Sequence, residues 1–144
     1  LDSLSEEQIW FQPNENVTSI GNLILHLCGN VRQWVLSGLG DKVDNRDRDH
    51  EFIPCQNIKK SELVFLLENV RMNVRELLIE LPDDFETRKI EVQGFNETGF
   101  SVLCHVMEHF SYHTGQITTL AKLQENKDLG YYKGFDLNKI SSLN

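Results

Sequence analysis

Residues 105–116 read HVMEHFSYHTGQ, with a histidine at every fourth position from His105 to His113. Residues four apart lie on one face of a helix, one turn apart, so two such imidazoles can share one cation. On a helical wheel, His105, His109 and His113 fall within about 80° of one another. The spacing alone therefore permits a ligand pair made either by His105 and His109 or by His109 and His113.

A third histidine, His26, lies in another strongly apolar helical segment. It belongs to a polar strip along the border of the apolar stripe, together with Asn22, Asn30 and Gln33. One imidazole from this helix and two from the other would make a three-histidine metal site with a spare position for water or substrate. Because protonated histidine cannot ligate, metal binding should weaken as the pH falls through about 6.5. The alternative is three unrelated histidines, each hydrogen-bonded at a helix surface.

Other catalytic motifs are weaker. The histidine pair lacks the glutamate of an HExxH protease motif, and no glutamate precedes a histidine by three residues as in di-iron bundles. The segment 41–51 is charged and rich in turn-forming residues, including the run DNRDRD. We predict that this loop, with His50, is solvated; the alternative is a loop over the mouth of the site.

The hydrophobic periodicity predicts four helices and an all-α four-helix bundle, in a single domain spanning residues 1–144. The helices are predicted to begin near Ser5, at Thr18 or Ser19, near Ser61 and near Thr98. They are predicted to end before Pro13, at Gly38 and Gly40, before Pro82 and near Gln124. We interpret residues 85–95 as a long connection in which Ile90, Glu91 and Val92 alternate like a short extended piece.

Composition restricts the function classes. The formal net charge of −8 argues against nucleic acid or an anionic membrane as the main partner, because both select basic surfaces. No apolar run reaches the length of about 18 residues that a membrane span needs. The three cysteines, Cys28, Cys55 and Cys104, have no paired spacing, which favours a reducing cytoplasm over a disulfide scaffold.

Two segments resemble the DinB-like (DinB/YfiT) protein family. Residues 16–30, NVTSIGNLILHLCGN, resemble its second helix, and residues 105–117, HVMEHFSYHTGQI, resemble its last helix with an HxxxHxGQ ending. The resemblance extends from about residue 4 to residue 122 and is nearest to a poorly characterised bacterial subfamily. It implies a four-helix bundle with a full first helix, of which Leu1 to Phe11 would supply only the end, so the first helix is expected to be truncated.

The resemblance also resolves the ligand pair. It implies one divalent metal ion, zinc or nickel, held by His26, His109 and His113, whereas His105 matches a histidine that is not the usual ligand. The polar side chains nearest to such a site, which could orient ligands or substrate, are Asn22, Asn30, Gln33 and Gln116.

Family members act as metal-dependent thiol transferases, so the resemblance implies an enzyme that joins a low-molecular-weight thiol, such as bacillithiol, to a small electrophilic substrate. A metal-dependent hydrolase is the alternative on the same site. A different function class is a non-catalytic dimeric module that binds a small molecule or a metal. A homodimer is expected from the resemblance, and Trp34 and Tyr132 are the aromatic side chains that could lie on its surface.

Overall fold

The computed structural model describes residues 1–54 and 57–139. It shows a four-helix bundle, as predicted, with one short hairpin added. In chain order the elements are α1 (Glu6–Trp10), α2 (Ile20–Val31), a π-helical turn that continues α2 (Arg32–Ser37), a 3-10 turn (His50–Phe52), α3 (Lys60–Glu80), β1 (Lys89–Val92), β2 (Phe95–Thr98) and α4 (Gly99–Glu125).

Hydroxyl side chains begin three of these helices, at positions that the sequence predicts. The Ser19 hydroxyl accepts a hydrogen bond from the backbone N–H of Asn22 at 3.2 Å, and the Thr98 hydroxyl accepts one from that of Ser101 at 3.1 Å. Ser5 caps α1 in the same way. Because the first backbone N–H groups of a helix have no partner inside it, each cap contributes about 1 kcal/mol. These caps fix where α2 and α4 begin.

The second helix, α2, is the centre of the bundle. It contacts α1, α3 and α4, and ten of its twelve residues are buried. Its apolar side chains form the core with Trp34, Val35, Leu63 and Val102. Since α2 is enclosed on several sides, its polar residues Asn22 and His26 are buried too and must find hydrogen-bond partners.

Residues 85–95 are not the plain connection that we predicted. Strands β1 and β2 form an antiparallel hairpin in which Ile90 pairs with Glu97. At the turn, Gln93 and Gly94 both have positive φ angles, of 54° and 80°, as a tight two-residue hairpin turn requires. The alternation around Ile90 was the correct signal, but Gln-Gly lacks the familiar asparagine of such turns and each strand has only four residues.

The third helix, α3, is less buried than its sequence suggests. Leu63 and Val70 are buried in the core, but Leu78 is exposed, although its spacing from Leu63 and Val70 is helical. Phe65 and Ile79 are exposed as well.

Among the described residues, every helix falls short of the length or the apolar character that a bilayer crossing requires.

Candidate metal centre

The bundle brings the three predicted ligands together. His26 comes from α2, and His109 and His113 come from consecutive turns of α4. One ligand atom from each imidazole can be chosen so that all three lie within 4.8 Å of one another. The ring centroids are 4.9 Å apart for His26 and His109, 5.0 Å for His26 and His113, and 4.5 Å for His109 and His113. This group could hold a metal ion.

The spacing of the nitrogens fits a small divalent ion. Nε2 of His26 lies 3.1 Å from Nε2 of His109. Metal–nitrogen bonds of about 2.0–2.1 Å at a tetrahedral angle place two ligand nitrogens about 3.3 Å apart. A bound ion would therefore need little movement of these two rings, and three imidazoles are a donor set that suits zinc, copper, iron and nickel.

Hydrogen bonds at the other ring nitrogen, Nδ1, orient two of the imidazoles. Nδ1 of His26 lies 2.8 Å from the carboxylate Oε2 of Glu51, and Nδ1 of His113 lies 2.7 Å from Oε1 of Gln116. Both oxygens accept hydrogen bonds, so both Nδ1 atoms donate and each Nε2 keeps its lone pair; Nη2 of Arg46 also lies 3.2 Å from Nδ1 of His26, and Nε2 of His26 faces Nε2 of His109. Nδ1 of His109 is buried and has no partner among the described residues.

Burial keeps the paired histidines of α4 neutral. Burial, followed by repulsion from positive charge on His113, His26 and His105, lowers the pKa of His109 to about 4. Burial also lowers the pKa of His113, although its hydrogen bond with Gln116 acts in the opposite direction. Both imidazoles are thus uncharged near neutral pH, the form that binds cations. The expectation that metal binding weakens as the pH falls through about 6.5 stays a prediction.

We expect His109 in the folded, metal-free protein to titrate near pH 4 instead of the ordinary 6.5. The unfolded chain takes up this proton near pH 6.5 and the folded chain only near pH 4, so the free energy of unfolding should fall as the pH drops between those values. NMR of the imidazole ring protons against pH measures the midpoint, and a urea-unfolded sample is the control. A folded-state midpoint at or above 6.5 would contradict the burial described above.

Two residues of the site, Arg46 and Glu51, were missed by the sequence analysis. Both come from the charged loop that we predicted to be solvated, and their side chains are only 4% and 9% exposed. Burial alone would raise the pKa of Glu51, but hydrogen bonds from Arg46 and His26 outweigh it and lower that pKa. The prediction of a solvated loop holds for His50, which is exposed, and is wrong for Arg46 and Glu51, which contact Nδ1 of His26.

The four polar candidates occupy different places. Gln116 contacts His113 directly, as expected of a residue that orients a ligand. Asn22 and Gln33 do not contact the imidazoles in the hydrogen-bond network and instead bind the charged loop. Asn30 is buried, and its Oδ1 has no partner among the described residues. Of the four candidates, Gln116 is the one with a hydrogen bond to a predicted metal ligand among the described residues.

His105 lies outside the group that could hold a metal. Its ring stacks on the indole of Trp34, with centroids 3.8 Å apart and an interplanar angle of 24°. The spacing of the histidines along α4 contains no information about this contact with a distant residue. Spacing alone therefore could not separate His105 from His109 and His113. Trp34 is 3% exposed, so the suggestion that it lies on the outer surface is wrong.

A cavity of about 610 Å³ adjoins the group on the side of His113. Phe52, Tyr112 and Gln116 contribute to its wall, and the remaining lining residues are also uncharged. The volume lies in the range of small-molecule sites. Bound molecules there would meet aromatic, amide and hydroxyl groups beside the imidazoles.

The cysteines of the described residues are not members of the histidine group. Cys28 is buried in the core, and burial raises its pKa to about 11, which makes it a poor nucleophile. Cys104 is partly buried on α4. Cys55 lies outside the described residues.

Comparisons with known proteins agree with this fold. The family model described as "Protein of unknown function (DUF1572)" matches residues 1–132. The structure is similar to the crystal structure of a DinB-like protein from Bacillus cereus ATCC 10987, with a TM-score of 0.70 and 19% sequence identity, over 86% of this chain and 80% of that chain. No curated protein sequence matches the chain. At this identity the likeness shows the fold, and the predicted resemblance to DinB-like proteins is confirmed.

Proposed function

The chain belongs to the DUF1572 family, and we propose that it is a metal-dependent enzyme in which His26, His109 and His113 hold one zinc or nickel ion. The observation that carries this proposal is the convergence of three imidazoles whose candidate ligand nitrogens lie within 4.8 Å of one another, two of them with Nδ1 engaged so that Nε2 can bind the ion. A site built only to fill a core would not need three imidazoles in contact.

A divalent ion held by His26, His109 and His113 would supply the Lewis-acid chemistry that lowers the pKa of a thiol or of water. The chain's own residues supply the rest. Gln116 orients His113, and the cavity beside it offers Tyr112 and Phe52 to a bound substrate. We infer that a low-molecular-weight thiol such as bacillithiol is the cosubstrate and that it attacks a small electrophile.

The same site supports hydrolysis if water takes the place of the thiol, so the test must separate the two. Protein purified without a nickel-affinity tag is incubated with a panel of low-molecular-weight thiols and small electrophiles, and conjugates and hydrolysis products are measured by mass spectrometry. Conjugate formation supports the transferase, and thiol-independent products support the hydrolase. Tight binding of a ligand in the cavity without any turnover supports the binding module.

We also propose that the chain acts as a homodimer in the reducing cytoplasm. Large apolar side chains are exposed along two helices, including Phe65 and Ile79 on α3 and Met107 on α4, and Tyr132 beyond α4 is 67% exposed. Exposed apolar surface of this kind is often covered by association. Light scattering over a wide concentration range measures the assembly, and a monomer throughout would contradict it.

A further inference from the structure

One face of α2 receives the charged loop. Asn22, His26, Gly29 and Gln33 follow each other at helical spacing, so they lie on one side of the helix. The amide of Asn22 donates to the backbone carbonyls of Glu51 and Ile53, both at 2.8 Å. At the other end of the strip, Gln33 bonds to Asp44 and Arg46. The loop is therefore attached to α2 on both sides of His26.

This attachment places the Glu51 carboxylate directly behind His26. Oε2 lies 2.8 Å from Nδ1 of His26 and accepts from Nη2 of Arg46 at 2.8 Å, and Oε1 accepts from Nε of Arg46 at 2.7 Å. Nη2 of Arg46 also lies 3.2 Å from Nδ1 of His26, a longer contact than either ring or guanidinium makes with Oε2. Arg46 thus donates hydrogen bonds to both oxygens of the carboxylate. This bidentate geometry is the one that best stabilises a carboxylate in its ionised form. A buried carboxylate with neither partner would be strongly destabilising.

Gly29 provides the space for this arrangement. A Cβ atom at position 29 would collide with Oε1 of Glu51 and would lie 3.0 Å from Nε of Arg46. Any larger residue there would push the ion pair away from His26. The requirement for glycine is therefore imposed by the ion pair and not by the backbone of α2, whose conformation at this position is helical.

We propose that Glu51 is the positioning residue of the metal centre: its carboxylate holds the proton of His26 on Nδ1 and aims the Nε2 lone pair at the metal, with Arg46 holding Glu51 in place. The inference rests on the proposed function for the identity of the group that His26 binds. A carboxylate on the far nitrogen fixes the ring and makes it a stronger donor. Glu51 would act through His26 and need not contact the substrate.

The test is the affinity of the full chain for zinc, measured by competition with a chromophoric chelator. Glu51→Gln keeps the size of the side chain but removes the charge and is expected to weaken zinc binding by about 10–100-fold. Asp47→Asn is the matched control, since Asp47 also bonds a histidine Nδ1 at 2.7 Å in the same loop, but with an exposed partner, His50. We expect Asp47→Asn to bind zinc as tightly as the wild type.

Gly29→Ala separates positioning from charge. It retains every ionisable group and displaces the carboxylate, so it should weaken zinc binding as Glu51→Gln does. In the double variant Glu51→Gln with Arg46→Met, the unpaired arginine charge is removed, and binding should remain weak. Recovery of wild-type affinity in the double variant would overturn the proposal, because it would assign the loss to repulsion by Arg46.

A second measurement covers variants that fail to fold and the case in which the wild type binds no zinc. Nitrogen-15 NMR of the metal-free wild type is expected to show His26 protonated on Nδ1. Protonation on Nε2, or Glu51→Gln binding zinc as tightly as the wild type, would overturn the inference and leave the metal site standing. A wild type that binds no zinc but keeps the Nδ1 proton would overturn the proposed function, while the orienting contact would stand.

Discussion

Replacing His109 or His113 by alanine is expected to lower the metal content from about one ion per chain to about a tenth of that or less. Each change removes one of three nitrogens, and two imidazoles from different helices bind a divalent ion far more weakly than three. Elemental analysis by mass spectrometry, on protein purified without a nickel-affinity tag, measures the content. The two residues lie on consecutive turns of α4, so both variants should behave alike.

His105→Ala is the matched control for these variants. It removes an imidazole from the same helix, one turn before His109, but from a ring that stacks on Trp34 outside the histidine group. We expect this variant to retain most of the metal and to lose only packing. Retention of wild-type metal by His109→Ala, or complete loss from His105→Ala, would show that the ligand assignment is wrong.

Removal of the metal is expected to reduce turnover to the uncatalysed level, whether the enzyme joins a thiol to an electrophile or hydrolyses its substrate. The reason is that the ion would supply the deprotonated nucleophile at neutral pH, and the described residues that line the cavity include no cysteine, carboxylate or lysine to replace it. Dialysis against a chelator followed by a turnover assay measures the loss. Adding zinc or nickel back should restore the activity.

Cysteine variants test the main competing mechanism. If a protein thiol were the nucleophile, its replacement by serine would abolish turnover while the metal stayed bound. We expect Cys28→Ser and Cys104→Ser to keep most of the activity, and burial with a pKa of about 11 makes Cys28 the least suitable nucleophile. The same result is expected for Cys55→Ser. An inactive serine variant with full metal content would favour a cysteine enzyme.

Local sequence patterns were sufficient to predict the four-helix bundle. Apolar residues at three- and four-residue steps predict the helices, and Ser19 and Thr98 start α2 and α4 where their side chains cap the first turn. The same periodicity placed His109 and His113 on one face. These features depend on residues within one or two turns of each other, which is why the sequence alone could specify them.

The choice among the histidines needed more than spacing. His105 and His113 are equally far from His109 along α4, but His105 stacks on Trp34 and lies outside the group, although its ring centroid is 5.6 Å from that of His109. The resemblance to DinB-like proteins had indicated the same choice. In the structure the difference is the contact between His105 and Trp34, which are 71 positions apart in the chain.

Only the tertiary structure decided what surrounds His26. Arg46 and Glu51 lie in a loop whose composition is typical of solvated turns, and nothing in its local pattern separates them from the exposed Asp47 and His50. They are buried because Asn22 and Gln33 attach the loop to α2 and because Gly29 leaves room for the carboxylate. Burial of a charged side chain depends on partners that are distant in sequence, so no local pattern could reveal it.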